Sequence, residues 1–349
     1  MFSREGGSPV WIPAFAGRHA SADYRAKRRQ TRENLQIRQR QTRASVYTSV
    51  YTSYASLQTT APNRNQKAPE PMTTAYDWTG RIGDVWAAAW RRTDRSFTNL
   101  TPHLNAAILS AATPQTRKII DIGCGAGATS LATAQALPNA QITGIDLSPN
   151  LIEIAKDRAK TQTNASFECA DITAAAPNHA PIDLYVSRHG VMFFADPVAA
   201  FTALAEAAAP DATLVFSCFA DRAANRWATE TITATGGYAD APATTAPGPF
   251  AFADPTYVAS ILEKSGWPVT SPERVEFAYR AGEGADPVTD AVDYFRRIGP
   301  AASAIRDAAS EERERHIARL TLVCDRYRRG ATVEFPAAAW IWTARKSSE

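Results

Sequence analysis

The sequence lacks any long apolar run: none of its 349 residues falls in a stretch near the ~18 consecutive apolar residues a membrane-spanning helix needs. That argues against an integral membrane protein. Cysteine is scarce and scattered, with Cys124, Cys169, Cys218 and Cys324 forming no CxxC pair. Neither a disulfide framework nor a cysteine-based zinc site fits that spacing, and no metal is expected. A reducing, cytoplasmic setting is the simplest reading, with most of these thiols as small core residues. Residues 72–349 show no basic patch or RNA-binding module, so no nucleic-acid or membrane partner is expected. What is there is ordinary globular composition, 45% hydrophobic and 21% charged, which at this length allows one large domain or two modest ones.

The net charge of +3 is unevenly spread. Residues 1–71 carry twelve Lys/Arg against four Asp/Glu, whereas residues 72–349 carry 26 against 31. The basic half of that split coincides with a polar stretch, RHASADYRAKRRQTRENLQIRQRQTR over 18–43, whose only large aliphatics are Leu35 and Ile37. Such a segment buries too little apolar surface to offset its ordering entropy, so a disordered basic tail is expected over 1–71. Three functional readings compete with that (a secretory signal, a transit peptide and a nucleic-acid-binding arm), beside the reading that the segment is no natural protein but an over-extended gene start ahead of Met72. Of the three, an organellar transit peptide fits better than a secretory signal.

From Arg117 strands and helices alternate. The expected strands are Lys118–Ile122, Ala140–Ile145, Ala165–Cys169, Ile182–Ser187 and Ala212–Phe219, with extended chain over Val269–Tyr279. The expected helices are Thr129–Leu137, Asp146–Ala159, Pro197–Ala209 and Pro255–Lys264. Ser148-Pro149, Asp196-Pro197 and Asp254-Pro255 each place an oxygen-bearing cap before a proline at the first helical position. Gly266 stands where a left-handed helix stop belongs. Strands alternating with helices of this length imply right-handed crossovers and a mostly parallel, doubly wound α/β sheet with helices on both faces.

Ligands of such sheets bind beyond the carboxyl ends of the strands. After the first strand comes Asp121-Ile-Gly123-Cys-Gly125-Ala-Gly127, where alternate glycines let the backbone approach a ligand. With Ala128 this also fits a dinucleotide fingerprint, so a nicotinamide-dependent oxidoreductase remains an alternative. The second strand ends in Asp146, a carboxylate suited to both hydroxyls of a ribose.

KIIDIGCGAGAT (118–129), ITGIDLS (142–148), FECADI (167–172) and IDLYVSRHGVMFFADP (182–197) together resemble the successive motifs of class I S-adenosylmethionine-dependent methyltransferases. The resemblance extends over residues 76–345, from WTGRIGDVWAAAW (78–90) to FPAAAWIWTAR (335–345), and includes a likeness to a bacterial small-molecule group. It implies a seven-stranded Rossmann-like sheet in a domain over 72–349. That domain would comprise a helical lead-in (72–112), a cofactor-binding core (117–280), a helical insert (286–330) and a final strand (331–345). Its implied cofactor is S-adenosyl-L-methionine. Gly123, Gly125 and Gly127 would run beneath the methionine part and ribose, and Asp121 would help position the ammonium. Asp146 would bind the ribose, Leu147 would pack on the adenine, Asp171 would accept from the adenine amino group and Ile172 would contact the ring. Ser187 would lie near the methionine carboxylate and the transferred methyl. The turn that this family usually writes Pro-Gly-Gly is Pro210-Asp211-Ala212 here.

The implied activity is methyl transfer to an unidentified small-molecule acceptor; a non-catalytic cofactor-binding partner is the other alternative. His189, just after the fourth strand, is the candidate base, with a structural histidine as its competing role. Arg188 would orient an acidic substrate or pair with a carboxylate, and Tyr185 is expected in the core. Trp86 and Trp90, four apart, share a helix face. They would pack on the sheet or cover the cofactor together with Trp78. The lead-in, the loop Ala220–Ala253 and the insert would close over the acceptor. Trp340 and Trp342 point to one face of the last strand.

Overall fold

The computed structural model describes residues 78–239, 245–269 and 272–346. The tail expected over 1–71 lies outside the described residues. The lead-in folds as three helices, Arg81–Ala88 (α1), Trp90–Ser96 (α2) and Thr101–Ala111 (α3). Trp86 and Trp90 fall on either side of a break at Ala89.

The alternating core follows. Lys118–Ile122 (β1) is buried at every position but its first, as a strand covered on both faces must be. After it come Ala128–Ala136 (α4), Gln141–Asp146 (β2), Pro149–Arg158 (α5) and Ala165–Cys169 (β3). Ile172–His179 (α6), Ile182–Arg188 (β4), Pro197–Ala207 (α7) and Ala208–Phe219 (β5) complete the parallel half. The rest is Arg226–Ala234 (α8), Pro255–Lys264 (α9) and Glu273–Glu283 (β6), then the insert Pro287–Phe295 (α10), Ala301–Asp307 (α11) and Ser310–Arg326 (α12). The two-residue Arg328–Arg329 (β7) and the long Thr332–Arg345 (β8) close the chain.

The sheet runs β3-β2-β1-β4-β5-β8-β6, with β7 pairing only to β8. The pairs from β3 to β5 are parallel, and β8 inserts antiparallel between β5 and β6. This is the expected doubly wound sheet; its eighth strand is the short hairpin arm β7, turned back at Gly330 with φ +60°.

The helix starts follow the sequence. Ser148 Oγ accepts from Leu151 N–H (3.4 Å), Asp196 Oδ1 from Ala199 N–H (3.0 Å) and Asp254 Oδ1 from Thr256 N–H (2.9 Å). Asp286 caps the insert in the same way through Thr289 N–H, 3.3 Å away. Pro210-Asp211-Ala212 lies within β5, and Asp211 takes φ +62°, a conformation an aspartate tolerates better than most residues.

Several segments differ from expectation, among them α6, which no expected helix covers. The supposed loop Ala220–Ala253 contains α8, whose threonines disguise it, since threonine favours helices poorly. Thr231, Thr233 and Thr235 turn their hydroxyls back onto the carbonyls four residues earlier, at 2.8, 2.9 and 3.1 Å. The last extended segment runs over Glu273–Glu283 and not from Val269, which makes only an isolated bridge to Ala344.

Beneath the site, Trp342 stacks on Phe216 with ring centroids 6.1 Å apart, and Trp340, on the same face, donates its indole N–H to Ala253 O at 3.0 Å. Tyr185 is buried and its hydroxyl donates to Leu204 O at 2.9 Å.

Gly127 has φ +79°, and a Cβ there would sit 2.8 Å from the Phe167 ring. Gly127→Ala is expected to lose about 2 kcal/mol or more in urea denaturation, from left-handed strain plus the clash. Gly236→Ala, with φ +78° but open space around it, is expected to lose about 1 kcal/mol. Equal losses would show that Phe167 yields at no cost.

Candidate functional site

A cavity of about 460 Å³ lies beyond the carboxyl ends of β1 to β5. Its floor is the turn from β1 into α4. Gly123, Gly125 and Gly127 there have φ of +61°, +55° and +79°, all in the left-handed region that side chains avoid. A Cβ on Gly123 would press on Gly190 Cα at 3.0 Å, whereas one on Gly125 would meet nothing within 4 Å and would stand in the cavity. Gly127 opens α4 behind the floor and is not part of the wall.

Asp121 is fully buried at one side of this floor. Its Oδ2 accepts from Ser130 Oγ at 2.6 Å, while its Oδ1 has no partner. Burial raises its carboxyl from an ordinary 3.8 to about 7, against the opposing pull of Ser130 and Arg188. A cation placed at Oδ1 would relieve both the orphaned oxygen and the desolvated charge. Asp146 holds the turn itself: Oδ2 accepts from Gly125 N–H (2.8 Å) and Oδ1 from Ser148 N–H (2.9 Å). Each oxygen keeps a second lone pair, so the carboxylate can still receive a vicinal diol. Burial raises its pKa, and those backbone bonds oppose the rise.

Leu147, Asp171 and Ile172 line the same end of the cavity. Asp171 also caps α6, its Oδ1 accepting from Thr173 N–H (2.8 Å) and Thr173 Oγ1 (2.6 Å). Ser187 does not reach the wall. Its hydroxyl donates to Ile122 O at 2.7 Å and accepts from Gly190 N–H at 3.2 Å, tying β4 to β1 from behind. Asp121, Gly123, Gly125, Asp146, Leu147, Asp171, Ile172 and His189 therefore meet at one cavity, with Gly127 and Ser187 as its supports.

His189 sits in the wall with φ +61°, its ring 4.6 Å from Phe97 and 4.3 Å from Phe219. Nδ1 is 2.9 Å from Ser217 Oγ, and Nε2 has no partner. Burial, with the Arg188 charge beside it, lowers its pKa from 6.5 to about 3. An imidazole with so little affinity for a proton is a poor base for a hydroxyl. Its environment suits a neutral hydrogen-bonding group instead.

The groups that the sequence did not single out are on α2. Asp94 lines the cavity and pairs with Arg188 (2.7 Å) and Arg158 (2.9 Å). Arg158 also donates to Ala126 O at 2.6 Å and lies 4.2 Å from the centre of the Trp90 ring. Arg92 and Arg95, on the same helix, pair with Asp290 of α10. In WRRTDRS such charges read as a solvated helix face, and only their partners, distant in sequence, show that several point inward. Trp78, Trp86 and Trp90 are half-buried and line the cavity, and Trp86 also packs against the main core. Trp227, Pro249, Tyr279, Ile298 and Gly299 close the far end.

Residues 119–211 match a protein family described as a methyltransferase domain. The malonyl-[acyl-carrier protein] O-methyltransferase of Acetivibrio thermocellus is 36% identical over 101 residues, 29% of this chain and 35% of that protein. A ubiquinone biosynthesis O-methyltransferase of Coxiella burnetii is 30% identical over 102 residues, 29% of this chain and 43% of that protein. The chain thus spans less than half of either relative. A solved structure of the N-methyltransferase NodS from Bradyrhizobium japonicum, in complex with S-adenosyl-L-homocysteine, superposes with a TM-score of 0.38 at 19% identity, over 70% of this chain and 84% of that one.

The raised Asp121 pKa sets a pH dependence. The folded chain holds this proton more tightly than the unfolded chain, so the stability it contributes is complete below about pH 4 and lost as pH rises through about 7. Asp121→Asn is expected to gain in melting temperature over the parent, by a few degrees, between pH 5 and pH 8. A difference that does not change with pH would contradict the buried acid.

Proposed function

We propose that this chain, whose residues 119–211 belong to the class I S-adenosylmethionine-dependent methyltransferases, transfers the methyl group of S-adenosylmethionine to a small-molecule acceptor and releases S-adenosylhomocysteine. The observation that carries the reading is the conjunction on one cavity floor of an orphaned Asp121 oxygen, an Asp146 carboxylate with free lone pairs, and the open space over Gly125. These suit an ammonium, a ribose diol and the chain that joins them. Asp171, Leu147 and Ile172 stand where a flat base would lie beyond the ribose.

The bound cofactor supplies an electrophilic methyl, whose bond to sulfur breaks with its electron pair moving to sulfur as the bond to the acceptor forms. What remains for the protein is to bind, orient and keep water out. Asp121 and Asp146 hold the polar ends, and the three tryptophans of the lead-in cover the cavity. Asp94 fastens that cover by its two arginine pairs. The far end is enclosed by α2, α8 and the insert, which favours a small acceptor over a nucleic acid. Cys124, Cys169, Cys218 and Cys324 are all unpaired, which fits a reducing cytoplasm.

Calorimetry on the full chain tests the reading. S-adenosylhomocysteine is expected to bind one to one, and NADH, the competing ligand for a glycine-rich turn, to give no heat. Asp146→Ala is expected to weaken binding at least ~10-fold, about 1.4 kcal/mol. Binding of NADH in place of S-adenosylhomocysteine would overturn the assignment in favour of an oxidoreductase.

A further inference from the structure

Beyond Arg188 the character of the cavity changes. The wall there is Phe97, Met192, Phe219, Trp227, Tyr279 and Ile298. The rings brace one another: Trp227 stacks on Tyr279 with centroids 4.9 Å apart and planes at 15°, and Phe219 lies 4.9 Å from Trp227 and 5.8 Å from Phe97. This wall is fixed in place and offers apolar surface to whatever enters.

Its polar groups divide into those already satisfied and those not. The Arg188 guanidinium is paired with Asp94 at 2.7 Å, a carboxylate it shares with Arg158, and the Tyr279 hydroxyl is bonded to that of Tyr294 at 2.9 Å. Among the described residues, the charged side chains that line this end are Arg188 and Asp94, and they are ion-paired with each other. A charged acceptor would leave water for a wall without a counterion, at a cost of several kcal/mol. The side-chain atoms without a hydrogen bond here are Thr93 Oγ1, His189 Nε2 and Asp94 Oδ2; the last lies 2.9 Å from Arg158 as an ion pair, so the neutral Thr93 and His189 are the ones left for a ligand. Ser217 Oγ is buried 2.9 Å from His189 Nδ1; assigning the serine as donor satisfies its buried proton and puts the imidazole proton on Nε2. The wall therefore presents one hydroxyl and one N–H donor.

We propose that this half of the cavity takes an uncharged aromatic ring system bearing oxygen, its rings against Phe97, Phe219, Trp227 and Tyr279 and its oxygens on Thr93 Oγ1 and His189 Nε2. Naming that molecule as the methyl acceptor rests on the methyl-transfer reading; the binding preference itself does not. Aromatic walls with a few neutral polar groups select for shape and for hydrogen-bonding oxygen, and they select against charge.

The probes are 2-naphthol, naphthalene, 2-naphthoate and 2-naphthylmethylammonium, titrated into the full chain with and without S-adenosylhomocysteine and followed by tryptophan fluorescence. 2-Naphthol is expected to bind at least ~10-fold more tightly than either charged probe. His189→Gly, which accepts φ +61° without strain, is expected to erase the advantage of 2-naphthol over naphthalene. His189→Asn, which tolerates the same backbone and keeps a donor, is expected to restore it. A circular dichroism spectrum like the parent's and cooperative thermal unfolding in both variants show that they are folded. Equal or tighter binding of the carboxylate or the ammonium overturns the proposal, as does failure of 2-naphthol to bind while S-adenosylhomocysteine does. If 2-naphthol shows the expected preference and S-adenosylhomocysteine does not bind, the cavity chemistry stands and the methyl-transfer reading falls.

Discussion

Everything at the site depends on one backbone constraint: between a strand buried on both faces and the helix that follows, the chain turns through three left-handed glycines. No other residue passes through that conformation three times in five positions without strain. The turn is held by Asp146, which reaches from the neighbouring strand to Gly125 N–H, and it is packed from below by Phe167 against Gly127. Because the backbone itself forms the floor, the space above Gly125 stays free. The same carboxylate that fixes the floor keeps lone pairs for a ligand, so the structure and the binding chemistry share one group.

A second constraint closes the cavity from above. α2 is short and has no side-chain cap, so its position comes from charge and not from propensity. Asp94 on one flank pairs with Arg158 and Arg188, and Arg92 and Arg95 on the other reach Asp290 of the insert. Asp94 and Arg188 are partly shielded from water, which makes their pairing less sensitive to salt than a surface pair. One helix thereby links the core, the insert and the aromatic wall, and it also supplies the ion-pair partner of Arg188, the one arginine lining the cavity among the described residues.

The local features were legible in the sequence and the non-local ones were not. Strand β1, the glycine turn, the caps at Ser148, Asp196 and Asp254 and the stop at Gly266 each depend on residues within a few positions, so pattern alone finds them. Ser187 shows the limit: position at a strand end says which edge of the sheet a residue occupies, but not that its hydroxyl turns back to Ile122 O. His189 was visible as a histidine beside the site, yet its burial between Phe97 and Phe219, which removes its basicity, joins segments about a hundred residues apart. Helix α8 was hidden because its threonines are helical only when their hydroxyls fold back onto the helix. The Asp94 pairs had no local signal at all.

The central claim is that one cavity holds the cofactor on the glycine floor and the acceptor on the aromatic wall. A crystal structure of the full chain with S-adenosylhomocysteine tests it most directly. The ribose hydroxyls should lie within about 3 Å of the Asp146 carboxylate and the ammonium within the same reach of Asp121 Oδ1. A ligand bound elsewhere, or one whose ribose leaves Asp146 untouched, would contradict it.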